Sequence, residues 1–301
     1  MKRDISTDAE AAGPRFTVLA SGSSGNASLL EADGFGLLID IGLGPRQLTA
    51  RIAASGRSWR HVHAVVLTHT HGDHWNVRTL AGLLARRIPL YCHDEHRLAL
   101  REACGSLYQD FDGAGLLRSY GDDELLRLGA LECRPLPVRH DSGATFGFRI
   151  RTAAREAATE WSLGYVADLG CWDDALADAL AEVDLLAIEF NHDVTMQRQS
   201  GRAPMLIARV LGDEGHLSNE QAADLLREVL RRSAPGRVRQ LVQLHLSRQC
   251  NRPDLALAAA QVALDSLGVE LPVHAARQDK PSPRFEMTAQ VQPAEAQGRL
   301  W

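Results

Sequence analysis

A short run of histidine and aspartate follows the apolar segment Ala64–Leu67, and its composition is that of a metal site. The run has the pattern H-x-H-x-D-H and offers four ligands, which are His69, His71, Asp73 and His74. Side chains two positions apart in an extended segment point the same way, so the first two histidines can bind one metal ion. A turn through Gly72 into a helix beginning near Trp75 would direct the last two ligands to a second ion. Imidazole and carboxylate ligands suit zinc, manganese or iron.

Three further candidate ligands stand at the ends of predicted strands. They are His140, Asp168 and His245. A lone histidine in such a position is more often a capping or core residue, but the H-x-H-x-D-H pattern requires distal partners and therefore favours ligation. The predicted sites consist of a first ion held by His69, His71 and His140, a second ion held by Asp73, His74 and His245, and a bridge formed by Asp168.

Two metal ions would lower the pKa of a bridging water and polarise a phosphoryl group, which suits hydrolysis without a covalent protein intermediate. Asp73 is expected to orient the attacking water as well as to bind metal. His216, within G-H-L-S, is the predicted general acid, and Glu189 is predicted to orient it. The alternative is that His216 is a loop residue beside a helix cap formed by Ser218 or Asn219, and both interpretations can hold together.

Five residues are predicted to contact the substrate: Ser23, Asn26, His192, Ser247 and Arg248. The first two lie in the Gly/Ser-rich loop Ser21–Asn26, which has no lysine and is therefore not a P-loop. Its backbone amides, together with Asn26, are expected to face the site, the alternative being a simple connection between strands. Ser247 and Arg248 follow the candidate ligand His245 and could hold a phosphate, although an exposed arginine is more often merely solvated.

The elements that must position these residues alternate between strands and helices. Short strands are predicted at Phe16–Ala20, Ala27–Glu31, Leu37–Ile41, Ala64–Leu67, Leu116–Tyr120, Leu131–Pro135, Thr145–Ile150, Ser162–Ala167, Asp184–Glu189, Val238–Leu244 and Val273–Ala275. Helical periodicity occurs at Val77–Arg87, Glu95–Ala103, Asn219–Arg232 and Pro253–Leu267. Two runs of strands, each followed by helices, predict two sheets packed face to face with helices outside.

The order of the ligands resembles that of the metallo-β-lactamase superfamily across roughly residues 16–287. Four segments are similar to the YycJ/WalJ group of bacterial DNA-processing exonucleases: L-A-S-G-S-S-G-N at Leu19–Asn26, E-F-N-H-D at Glu189–Asp193, G-D-E-G-H-L-S-N-E at Gly212–Glu220 and L-H-L-S at Leu244–Ser247. The last three also resemble motifs of tRNase Z. The resemblance implies an α/β fold of the four-layer αββα type, two divalent metal ions and cleavage of phosphodiesters.

The candidate site predicts a dinuclear phosphodiester hydrolase, and the resemblance to the YycJ/WalJ group implies that it degrades DNA from the 5′ end. Three alternatives remain at this stage: a tRNase Z-like RNA nuclease, a hydrolase of small cyclic phosphodiesters or thioesters, and a non-catalytic metal-binding partner. The last is expected to lack ligands, whereas every proposed ligand position is filled here. The metal could be zinc, manganese or iron, and the sequence leaves the oligomeric state open.

The composition of the chain limits its core size, its surface charge and its cysteine chemistry. The chain has 301 residues, of which 45% are hydrophobic, and a net charge of −5, so it can bury a sizeable core but has no basic surface over the whole domain. Five scattered cysteines argue against disulfides and thiolate metal sites. With no membrane span or signal-peptide pattern, a cytoplasmic location is expected. We predict a flexible tail at 1–14, one hydrolase domain at 15–290 and a C-terminal tail at 291–301.

Overall fold

The computed structural model describes residues 13–152 and 161–287, which form two mixed sheets of seven strands each. Residues 13 and 14 precede the first strand, whereas the rest of the predicted N-terminal tail and the whole predicted C-terminal tail lie outside the described residues. The proposed domain boundaries therefore stay a prediction. Within the described residues, no helix is both long enough and apolar enough to cross a membrane.

The first sheet contains seven strands, in the spatial order β14 (Phe285–Glu286), β1 (Arg15–Ala20), β2 (Ala27–Ala32), β3 (Phe35–Ile39), β4 (Ala64–Val66), β5 (Leu90–His93) and β6 (Leu117–Tyr120). The second sheet has the order β13 (Val273–Ala275), β12 (Gln240–Leu244), β11 (Leu185–Glu189), β10 (Ser162–Val166), β9 (Phe146–Thr152), β8 (Leu131–Pro137) and β7 (Leu126–Leu128). Each sheet has an antiparallel part and a parallel part.

The α-helices of the described residues are α1 (Pro45–Ala54), α2 (Val77–Arg86), α3 (His96–Cys104), α4 (Ser106–Gly113), α5 (Asp174–Leu180), α6 (Val194–Arg198), α7 (Pro204–Leu211), α8 (Asn219–Arg232) and α9 (Pro253–Leu267). A 3₁₀ turn lies at Trp59–His61. The predicted spans of α8 and α9 are confirmed residue for residue. Ser218 is the N-cap of α8, and it forms a reciprocal capping box with Gln221.

Three apolar clusters show how the layers stack. One lies between the sheets and includes Phe148 and Tyr165. A second joins the outer face of the first sheet to α1–α4, and a third joins the outer face of the second sheet to α5, α8 and α9. This stacking confirms the predicted four-layer αββα sandwich, because each sheet buries one face against the other sheet and its opposite face against helices.

Some differences between predicted and observed elements lie at the ends of elements, and others are whole elements that the sequence did not predict. The strand predicted to reach Ile41 ends at Ile39, because Asp40 adopts a left-handed conformation with φ of 64°. The helix α2 begins at Val77, as its periodicity predicts, and the Asn76 side chain caps it by accepting hydrogen bonds from two backbone amides. The strands β5, β7 and β14 and the helices α1, α4, α5, α6 and α7 were not among the predicted elements.

Candidate metal centre

The histidine-rich segment lies in the loop between β4 and α2, and its shape depends on contacts with distant parts of the chain. The backbone amide of Asn26 donates to the carbonyl oxygen of Asp73 at 2.7 Å, and that of Ile41 donates to His74 at 2.8 Å. Gly42 lies so close to this loop that a Cβ atom there would stand 1.7 Å from the Asp73 carbonyl oxygen. A side chain at position 42 would therefore displace the ligand loop.

The first predicted ligand group is assembled in the structure. Ligand atoms of His69, His71 and His140 all lie within 4.8 Å of one another. The closest pair is His140 Nε2 and His71 Nδ1, at 3.2 Å. The other nitrogen of His140 donates to the carbonyl oxygen of Gly215 at 2.9 Å, which leaves Nε2 directed toward its neighbours. The strand β8 and the loop before α8 thus complete a three-histidine group.

The second predicted group is assembled beside the first. Ligand atoms of Asp73, His74 and His245 also lie within 4.8 Å of one another. Asp168 stands between the two groups, because its carboxylate pairs with His74, lies 3.7 Å from His69 Nε2 and lies 2.6 Å from His245 Nδ1. The structure therefore brings all seven predicted ligands together in one cluster.

Three buried atoms at the centre of this cluster fit a role as cation ligands. His69 Nε2 and both carboxylate oxygens of Asp168 have no hydrogen-bond partner among the described residues, although His69 is 0% and Asp168 1% exposed. Imidazole nitrogens of His74 and His245 lie within ion-pair distance of the Asp168 oxygens. Burying such groups unsatisfied is unfavourable, whereas a divalent cation would satisfy them. The donor set of imidazole and carboxylate suits zinc, manganese or iron.

Neighbouring groups orient the ligand side chains, and one of these groups, Asp40, was not predicted from the sequence. His74 Nδ1 donates to Asp40 Oδ2 at 2.8 Å, so its Nε2 faces the cluster. Asp40 also accepts hydrogen bonds from the amide and hydroxyl of Thr68. His245 Nδ1 lies 3.0 Å from Glu189 Oε1 in the same way. Metal-binding histidines commonly have a carboxylate or carbonyl on their second nitrogen.

The electrostatics of the cluster divide the histidines into two kinds. Burial lowers the pKa of His69 well below its usual value, and the charge of His74 lowers it further. Burial also opposes protonation of His74, but the Asp168 and Asp40 carboxylates outweigh it and raise the His74 pKa to about 10. Burial acts to raise the pKa of Asp73, but the hydrogen bond with His245 and the charge of His74 outweigh it and lower this pKa to about 2. When no cation is bound, the positive charge of protonated histidines balances the negative charge of the buried carboxylates.

The cluster opens into a cavity of about 490 Å³. His216 lies on the cavity wall, and its Nδ1 donates to Glu189 Oε1 at 2.8 Å. Burial acts against protonation of His216, but the carboxylates of Glu189 and Asp168 raise its pKa to about 9. Glu189 is fully buried and also accepts from the backbone amide of Leu217 at 3.0 Å, so it is held firmly behind His216.

The five residues predicted to contact the substrate occupy three kinds of position. Ser23 and Ser247 line the cavity. Arg248 is exposed but does not line it. Asn26 and His192 are buried behind the site: the Asn26 amide contacts His74 Nε2 at 2.8 Å, and neither ring nitrogen of His192 has a hydrogen-bond partner among the described residues. Asn26 and His192 therefore lie behind the cavity wall, whereas Arg248 lies on the surface next to Ser247.

Several cavity residues were not found from the sequence. They include Asp141, Asn191, Arg202, Arg209 and Gln249. Arg209 forms a bidentate ion pair with Asp141, whose carboxylate also lies 3.6 Å from His71 Nε2. Arg202 donates to Gln249 Oε1 at 2.8 Å. Two of them carried a sequence signal, since Asp141 directly follows the predicted ligand His140 and Asn191 lies within E-F-N-H-D.

Comparison with known proteins identifies the family. The model of a family described as "Beta-lactamase superfamily domain" matches residues 36–245, which include all the candidate ligands and the His216–Glu189 pair. The chain belongs to the metallo-β-lactamase superfamily. Membership and the geometry of the His/Asp cluster together make it a metal-dependent hydrolase of that fold.

Curated relatives and a solved structure agree with this membership. The "Exodeoxyribonuclease WalJ" of Streptococcus pneumoniae is 30% identical over 266 residues, covering 85% of this chain and 91% of the relative. The "Exodeoxyribonuclease YycJ" of Bacillus anthracis is 29% identical, with the same coverage. Zn²⁺-bound PqqB from Methylobacterium extorquens has a TM-score of 0.62 at 16% identity, covering 91% of this chain and 100% of that chain. This last likeness concerns the superfamily fold alone.

Proposed function

We propose that this chain is a dinuclear metal-dependent phosphodiesterase that degrades DNA exonucleolytically from the 5′ end, with weaker activity on RNA. The observation that carries the proposal is the His216–Glu189 pair, which opens onto the same cavity as the two candidate ligand groups. Such a pair offers a proton donor beside a hydrolytic metal site, which would accelerate the cleavage of an unactivated phosphodiester by about 10²–10⁴-fold. Two relatives that cover 85% of the chain are named exodeoxyribonucleases, which supports DNA as the substrate.

The candidate ligands are assigned to two ions. His69, His71 and His140 would hold one, Asp73, His74 and His245 the other, and Asp168 would contact both. When bound, zinc or manganese ions would supply charge neutralisation for the phosphate and an activated water. Asp73 lies on the cavity side, where its carboxylate can also orient that water.

His216 is assigned as the general acid. Its Nδ1 is occupied by Glu189, so Nε2 is the nitrogen that can donate a proton to the departing oxygen of the substrate. Glu189 acts through His216, because its own carboxylate is fully buried. It is therefore a positioning residue, and the buried backbone contact with Leu217 fixes its orientation.

The cavity wall supplies groups for the substrate phosphates. Arg209 and Arg202 are cationic and face the same space as the hydroxyl groups of Ser23 and Ser247. Guanidinium groups bind phosphate oxygens in a bidentate manner, and here both are preorganised by Asp141 and Gln249. Arg248 stands one residue beyond Ser247, outside this wall, so Arg202 and Arg209 replace it in the proposal.

A nuclease panel tests the proposal. Single- and double-stranded DNA and RNA of one sequence, labelled at either end, are incubated with the purified chain and manganese, zinc or magnesium. The expected result is manganese-supported release of mononucleotides or short products from the 5′ end of DNA. His71→Ala, prepared in parallel, controls for contaminating nucleases. Endonucleolytic cleavage of precursor tRNA without DNA degradation, or no cleavage of any nucleic acid, would refute the assignment.

A further inference from the structure

The outer face of the strands β7, β8 and β9 carries a line of charged side chains. Alternate residues of these strands belong to the core between the sheets, and five of the intervening residues are charged and point outward: Arg127, Glu132, Arg134, Arg149 and Arg151. Four of the five are arginines, in a chain whose net charge is −5. We call this surface the arginine face. It is a local basic surface that the overall composition conceals.

No apolar helix face covers this part of the second sheet within the described residues. The cluster outside that sheet consists mainly of residues from β10–β12 and from α5, α8 and α9, so the helices pack over the other half of the sheet. Only the end of α5 borders the arginine face, where Arg149 donates to the carbonyl oxygens of Ala179 and Ala181 at 2.9 and 2.6 Å. The remaining space is a cavity of about 400 Å³.

The arrangement places like charges against each other. Arg134 and Arg149 are directly opposite in the antiparallel pairing of β8 with β9. Like charges at such positions destabilise a sheet. Burial lowers the pKa of Arg149, and the nearby Arg237 and Arg151 lower it further, which is the direction that an unneutralised cluster of cations produces.

Among the described residues that line this cavity, Glu132 is the acidic one. Glu132 lines the cavity and pairs with Arg151 at 2.7 Å and with Arg127 at 3.6 Å. Arg134 is exposed and makes no ion pair or hydrogen bond with any described residue. Positive charge therefore remains at Arg134 and at Arg149, whose guanidinium donates to the backbone carbonyl oxygens of Ala179, Ala181 and Glu182, and an anion from outside can neutralise it.

We propose that the arginine face is a second binding site, remote from the catalytic cavity, for the phosphodiester backbone of a DNA strand. The choice of DNA as the ligand rests on the proposed function, whereas the anionic chemistry rests on the face itself. Planar guanidinium groups on a rigid sheet bind backbone phosphates in a bidentate manner, with no need to read bases.

The strand β8 fixes the spacing between the two sites. Arg134 precedes the candidate ligand His140 by six residues, and β8 is extended between Leu131 and Pro137. At about 3.3 Å per residue, the two positions are at most about 20 Å apart along the strand. Each strand of a DNA duplex advances about 3.4 Å per nucleotide, so at most about six nucleotides separate the cleaved phosphate from one bound at Arg134. A strand of about 20 nucleotides is therefore long enough to engage both sites.

Binding is measured by fluorescence anisotropy with labelled single-stranded DNA of about 20 nucleotides, in chelator, so that no cleavage occurs. Arg134→Gln is expected to weaken binding, and Arg134→Glu to weaken it more. Losing one phosphate contact makes the slope of log affinity against log salt concentration shallower by about 0.7. When salt is lowered from about 200 to about 50 mM, the affinity of the variant should therefore rise by a factor about threefold smaller than that of the wild type. Glu132→Gln should act in the opposite direction, because it removes the anion that competes for the arginines.

Two controls separate this site from the catalytic one. Arg46→Gln removes an exposed arginine from α1, a helix of the opposite outer layer, and should leave binding unchanged. Hydrolysis of a p-nitrophenyl phosphodiester, which is too small to reach the arginine face, should be the same in Arg134→Gln and the wild type. Thermal unfolding checks that each variant is folded.

The proposal is overturned if both Arg134 variants bind the long strand with wild-type affinity and salt slope, or if Arg46→Gln has an equal effect. Its failure is distinguishable from failure of the proposed function. An active exonuclease with unchanged binding by the Arg134 variants refutes the arginine face alone. Altered binding by these variants, together with no cleavage in the nuclease panel, refutes the proposed activity alone.

Discussion

Replacing His216 by alanine tests the proposed division between metal ligation and leaving-group chemistry. His216 lies on the cavity wall and is outside the proposed ligand set. We expect His216→Ala to retain both metal ions and to bind substrate almost normally, while turnover of DNA falls about 10²–10⁴-fold, the usual scale of general acid catalysis. This loss corresponds to about 3–5 kcal/mol of transition-state stabilisation.

The surroundings of His216 indicate that the variant will fold. Its main partner, Glu189, keeps the contact of Oε1 with His245 at 3.0 Å and the hydrogen bond of Oε2 with the Leu217 amide at 3.0 Å. Removing one of several partners of a buried carboxylate costs about 1–3 kcal/mol. His245→Ala is the contrasting variant, because it removes contacts to Asp73, Asp168 and Glu189 together. It is expected to lose metal affinity, and added manganese should partly restore its activity.

Leaving-group dependence gives the decisive assay. A p-nitrophenyl phosphodiester releases an oxygen that needs little protonation, so the difference between wild type and His216→Ala should become much smaller on this substrate than on DNA. Metal content is measured on the same preparations. The assignment of His216 as general acid is wrong if the variant loses a metal ion, or if its defect is equally large on both substrates.

Three further outcomes follow from the site and its surroundings. His71→Ala should remain folded, because the His71 side chain is 31% exposed. The variant should lose both metal and hydrolytic activity, and elemental analysis measures the loss of metal. Full metal content in the variant would contradict the ligand assignment. Asp40→Asn should weaken metal affinity about 10–100-fold without removing a ligand, as measured by competition with a chelator, and unchanged affinity would exclude Asp40 as an orienting group. His96, outside the site, is neutral because burial lowers its pKa to about 4. Since the unfolded chain takes up that proton near pH 6.5 and the folded chain does not, His96 reduces stability by up to about 3 kcal/mol as pH falls from about 6.5 to 4. His96→Gln can keep both hydrogen bonds of the ring, to the His93 amide and the Ala144 carbonyl oxygen, so urea unfolding of the variant should depend less on acid than the wild type; parallel curves would refute this.

Much of the site was predictable because its chemistry is concentrated in short segments. H-x-H-x-D-H places four ligands within six residues, and this spacing is recognisable without knowing how the rest of the chain folds. The distal ligands were found because a ligand at a strand end can reach an edge of the sheet. The limits of α8 were also local, since the capping box of Ser218 and Gln221 lies within its first turn.

The tertiary structure alone decided which residues surround those ligands. Asp40 reaches His74 across 34 positions of sequence, and Arg209 reaches Asp141 across 68, so no local pattern links either pair. The strand β14 has two residues, too few for an alternating pattern to be recognised. The outward arginines of β8 and β9 alternate visibly in the sequence, but alternation gives two faces without saying which one is covered. That choice depends on where α5, α8 and α9 pack, because a face becomes buried only when a distant element lies against it.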